Sequence, residues 1–128
     1  MASANWAQAS QLQARFPHTY TAMEHLIMAM ADAHINHGKT TFFGNDKGLK
    51  SYMKFEEKLK GTLLAMSMDG LISRTATANE FRETLEAVVD AWFEIFPNWP
   101  DAQTFSVAKI FANPKAGNQL ISSLIGVK

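Results

Sequence analysis

Apolar side chains recur at helical spacing in three long stretches of the chain and in shorter ones at either end. At about 100° per residue, Tyr20, Met23, Leu26, Ile27 and Met30 share one arc of a helix lying within 17–38, and His34 and His37 fall in that arc. His18, His25, Asp32 and Asn36 take the opposite side. Thr21-Ala-Met-Glu24 has the form of a capping box, which predicts a start at Thr21 or slightly before, and Gly38 is a suitable stop. A second helix is predicted from about Lys47 to Ser67, after Asn45 or Asp46 as cap and up to Asp69-Gly70. Its apolar arc holds Leu49, Tyr52, Met53, Phe55, Leu59, Leu63 and Met66; Lys47, Lys50, Lys54 and Lys58 line the other face. Gly61 marks a weak point or bend. Thr77-Ala-Asn-Glu80 repeats the capping-box pattern and opens the most regular helix, apolar at Phe81, Leu85, Val88, Val89, Trp92, Ile95 and Phe96. Its other face is acidic.

The remaining elements are shorter. Residues 3–15 read as a modest helix with Trp6, Ala9, Leu12 and Phe16 roughly on one face, closed off by Pro17. Lys39 to Gly48 is a polar loop containing Phe42 and Phe43, and Lys39–Phe43 is the one stretch with any strand character. Pro97-Asn-Trp-Pro100 is a stiff connector presenting Trp99. Two short helices follow, one over about 101–112 and one from Asn113-Pro114 that carries Leu120, Ile121, Leu124 and Ile125. The pattern predicts an all-α single domain over 1–128: a bundle of five or six helices, two or three of them long and amphipathic.

Composition narrows the function classes. A 128-residue chain that is 47% hydrophobic buries a real core. With no cysteine, disulfides, thiol catalysis and Cys-type zinc sites are excluded together. The segment MASANWAQASQLQARF lacks the basic-then-apolar pattern of a leader. No apolar run approaches the roughly 18 residues that span a bilayer. The expectation is a cytoplasmic protein with no membrane partner. Formal net charge is zero, which argues against nucleic-acid binding, where phosphate neutralisation supplies most of the affinity. Charge is nonetheless uneven: 39–60 holds six lysines against Asp46, Glu56 and Glu57, and 79–101 holds six acids against Arg82.

Candidate chemistry centres on few residues. His34 and His37 stand one turn apart and are the candidate metal pair, although a structural metal site needs about four ligands. Neither Glu-x-x-His nor His-Glu-x-x-His occurs in the chain. Two histidines near a helix C-terminus, where the macrodipole favours their charge, are the simpler explanation, and no cofactor is expected. Gly38-Lys39-Thr40 lacks the upstream glycine of a phosphate loop. Glu56 falls among apolar positions, so Glu56 and His25 are the candidate buried polar groups. His25 and Asp32, seven residues apart, are about 10 Å distant along the axis, too far for a direct dyad.

The last helix is almost uncharged on its outer positions. Leu120, Ile121, Leu124 and Ile125, with Trp99 as an aromatic anchor, are the candidate interface of a homodimer. The leading expectation is a regulatory or adaptor-like module that works by binding a protein partner or itself, not an enzyme. The competing class is a metal- or haem-binding protein or enzyme using His25, His34, His37 and Glu56. A third is a carrier of a small apolar ligand in a pocket lined by methionines and aromatic rings.

Overall fold

A computed structural model describes residues 6–35, 47–96 and 114–126. These form five helices and, among the described residues, no strand: α1 (Trp6–Arg15), α2 (Pro17–Ile35), α3 (Lys47–Met68), α4 (Ala78–Ile95) and α5 (Pro114–Ile125). The all-α architecture expected from the pattern is therefore present. The loop at 39–46, the Pro97–Pro100 connector with Trp99, the helix expected over 101–112, and His37 lie outside the described residues.

α2 and α3 are the main packed pair. They run antiparallel, with Thr19 beside Asp69 at one end and the Thr62 hydroxyl facing the Ala22 carbonyl, 3.5 Å away, further along. Met23, Leu26, Ile27 and Met30 of α2 meet Phe55, Leu59, Leu63 and Met66 of α3, and all eight are buried. α4 closes this core with Phe81, Leu85, Val89 and Trp92, and α5 packs along α4 by inserting Ile121. α1 rests on α2 and α4. Each fully buried aliphatic or aromatic side chain is worth about 1.5–3 kcal/mol of transfer free energy.

The helix ends follow local chemistry in two cases. Thr77, extended at φ −73° and ψ 163°, accepts from the Glu80 N–H, and the Glu80 carboxylate accepts from the Thr77 N–H, completing the expected capping box. α3 ends in a Schellman motif: the Leu71 N–H donates to the Met66 carbonyl and the Gly70 N–H to that of Ser67. Gly70 has φ +78°, a left-handed conformation for which glycine carries no Cβ penalty.

Two expectations are corrected. α2 begins at Pro17, so Thr21 and Glu24 lie inside it and form no capping box. Proline suits that first helical position because its missing N–H has no partner there in any case. α3 is continuous through Gly61 to Met68. Tyr52 and Met53, placed in its apolar arc by the helical wheel, are exposed, Met53 at 58%. α3 turns its buried sector toward α2 and α5, and that sector is narrower than the wheel implies; Thr62 sits within it, held by the Lys58 carbonyl at 2.9 Å.

Candidate functional site: an apolar pocket between α1, α2 and α4

The turn after α3 builds one end of the site. Asp69 accepts hydrogen bonds from the His18 N–H at 3.4 Å and the Thr19 N–H at 2.6 Å. These are among the first N–H groups of α2, which have no partner within their own helix, and a carboxylate there also suits the helix dipole. Two residues on, the Schellman motif sends Leu71 inward against the core. One turn therefore fixes both the start of α2 and a wall of the pocket.

The pocket measures about 230 Å³. α1 contributes Leu12, its junction with α2 contributes Phe16, and α2 contributes Thr19, Tyr20 and Met23. The opposite wall is one face of α4, Thr84, Ala87, Val88 and Ala91, whose mostly small side chains leave the space open. The described lining residues include no carboxylate, amine or imidazole. Its polar groups are the hydroxyls of Thr19, Tyr20 and Thr84.

Two of these lining residues have distinct chemistry. Thr19 is 2% exposed, and its Oγ1 is buried with no hydrogen-bond partner among the described residues. Leaving a buried hydroxyl unpaired costs about 1–3 kcal/mol. The Tyr20 ring packs against Trp92 at 5.2 Å between centroids, tilted by 56°, and Trp92 in turn meets Phe96 at 4.8 Å. Burial, reinforced by the negative charge of Glu24, raises the Tyr20 phenol above its ordinary pKa.

The residues singled out from sequence lie elsewhere. His25 is exposed and Glu56 half-buried, so neither is the buried polar group anticipated from the wheel; Thr19, Thr62 and Arg82 hold those positions. Glu56 stands beside Tyr52, whose phenol pKa is raised by burial and then by the Glu56 charge. His25 joins His18, Glu57 and Lys58 along a separate α2–α3 groove of about 450 Å³. His34 belongs to the last turn of α2, but its side chain, like the whole of His37, lies outside the description. Among the described residues no three His, Asp or Glu side chains are grouped to hold a metal. In α5, Ile121 is wholly within the core, while Leu120, Leu124 and Ile125 are half-buried against it.

Thr19 and Thr84 were missed by the sequence reading. The available signal was Thr19 itself, a hydroxyl three residues after Phe16 and four before Met23, in the middle of an apolar arc. No helix among the described residues is long and apolar enough to cross a membrane. No family model matches the chain, and neither a curated protein nor a solved structure matches it.

Proposed function

We propose that the protein works by binding, and that it takes a small, neutral, largely apolar molecule into the pocket between α1, α2 and α4. The observation that carries this reading is the space of about 230 Å³ itself, walled almost wholly by apolar side chains. A concave, mostly apolar space between packed helices is the usual setting of a small-ligand site. The test is a ligand-observed NMR and thermal-shift screen with toluene, phenol and indole, run beside Ala91→Phe, which fills the pocket from α4. Saturable binding to the natural chain, lost in the folded variant, supports the proposal. No binding by any of the three, or equal binding by Ala91→Phe, overturns it.

A second reading, self-association, draws support from the C-terminal end of α3. Leu64 and Met68, one turn apart, are exposed at 46% and 63%, whereas Met53, exposed at 58%, stands about three turns away beyond the exposed Glu57 and Lys60. Neighbouring exposed apolar side chains mark interaction surfaces more often than scattered ones do. A formal net charge of zero leaves copies of the chain little mutual repulsion. Of the residues expected at an interface on the C-terminal helix, Ile121 is spent inside the fold, and Leu120, Leu124 and Ile125 are partly buried against the core. Light scattering on the full chain at tens of micromolar decides it. A dimer that Leu64→Lys/Met68→Lys converts to monomer is expected; a monomeric natural chain removes the reading.

A further inference from the structure

We infer, granting the self-association reading on which it rests, that the surface receiving α3 is the acidic row of α4 on a second copy of the chain. Lysines of one copy opposite carboxylates of the other set the fit.

α4 presents a straight row to solvent. Its exposed positions from Glu80 to Glu94 are Glu80, Glu83, Ala87, Asp90 and Glu94, alternately three and four residues apart. That spacing keeps side chains along one line of a helix. Every member except Ala87 is a carboxylate.

α3 presents the complement. Lys50, Lys54 and Lys60 are exposed on its outer face, and Leu64 and Met68 continue that face toward the C-terminal end. Lys54, Lys60 and Asp90 have no ion-pair partner among the described residues, so their charges are open to another molecule. Both rows face solvent within one copy, which makes the pairing one between copies.

The interruptions in the two rows match as well. Glu57 is the exposed acid of α3, seven residues on from Lys50, and Ala87 lies seven residues from Glu80 and from Glu94. With Lys50 laid beside either end of the α4 row, Glu57 comes level with Ala87 and meets no carboxylate there. In either direction, one of Lys54 and Lys60 then comes level with Asp90 and the other within one residue of Glu83. An acidic partner of another kind would satisfy the lysines but not the gap at Glu57. Exposed ion pairs contribute little singly, so the rows select partner and register more than they supply affinity.

The test is light scattering on the full chain at tens of micromolar, in about 20 mM and about 500 mM sodium chloride, since salt screens exposed charges. Association that falls with salt is expected, because apolar contact alone is not weakened by salt. Lys54→Glu/Lys60→Glu is expected to weaken association by about tenfold. Adding Glu83→Lys/Asp90→Lys to the same chain returns the net charge to zero and should recover it. Adding Glu24→Lys/Asp32→Lys on α2 instead gives the same net charge and should not. Ala87→Lys places a lysine level with Glu57 and should tighten association; it carries the test alone if circular dichroism shows the fourfold variant unfolded. Association indifferent to salt and to Lys54→Glu/Lys60→Glu, recovered equally by the α2 control, or not tightened by Ala87→Lys overturns the α4 assignment and leaves self-association through the apolar end of α3. A natural chain that is monomeric in both salts overturns the two together.

Discussion

Arg82 Nε donates to Asn118 Oδ1 at 2.9 Å, joining α4 to α5 across thirty-six positions of sequence. Arg82 is 7% exposed, and its guanidinium has further partners on its own helix, Asn79 Oδ1 at 2.9 Å and Glu86 Oε1 at 3.1 Å. Asn118 closes the circuit by donating to Asn79. A charged group so little exposed persists because its donors are engaged.

Arg82→Ala is therefore expected to be among the more damaging substitutions of a charged residue in the chain. It removes three hydrogen bonds and leaves Asn118 Oδ1 without the Arg82 donor, at a cost of about 2–3 kcal/mol by urea denaturation. Asn118→Ala leaves Arg82 bonded to Asn79 and Glu86 and should cost about 1 kcal/mol. Equal losses for the two would contradict the network.

Asp69→Ala uncaps α2. Loss of a side-chain cap costs about 1–2 kcal/mol. The effect should be local as well as global, with faster amide exchange at His18 and Thr19 than in the natural chain. A variant with unchanged exchange at both amides would show that the cap contributes nothing.

The two tyrosines give a pH test. Tyr20 and Tyr52 are the whole tyrosine content, and both phenols are raised above the ordinary value of 10.0. An acid raised in the folded state holds its proton longer there than in the unfolded chain, so stability is full below the unfolded pKa and falls as pH rises past about 10. Tyrosinate absorbance on the folded protein should accordingly appear at higher pH than in urea. Coincident titrations would refute the burial of Tyr20.

Ile121→Ala tests the placement of α5. A fully buried isoleucine truncated to alanine costs about 2–5 kcal/mol, whereas a surface position changes stability by under about 0.5 kcal/mol. A small effect, coupled with loss of self-association, would return Ile121 to the interface assigned to it from sequence.

How much of this was legible depends on whether the partners are local. The Thr77–Glu80 capping box, the Asp69-Gly70 stop and the broad face of α4 all arise from residues within a few positions of each other, and all are present. The start of α2 was misplaced because its cap comes from Asp69, which no local motif near Pro17 announces. The burial of Arg82 was not legible in the sequence, because Asn118 enters from a distant helix. Burial of α3 was overestimated at Tyr52 and Met53, since periodicity identifies which residues share a face and cannot say how far neighbours cover it. The pocket was legible only as a class, a Met- and aromatic-lined space, because its volume arises from α4 alanines opposite α2 and not from any motif.

Thr19 divides its duties between two parts of one residue: its backbone anchors a helix to a distant turn, and its side chain is buried beside the pocket. Substitutions at this position can alter the local packing without removing the backbone bond that anchors the chain. Selection, natural or in the laboratory, is thereby given a place where packing drifts at little cost to the architecture. Asp69 offers no such freedom.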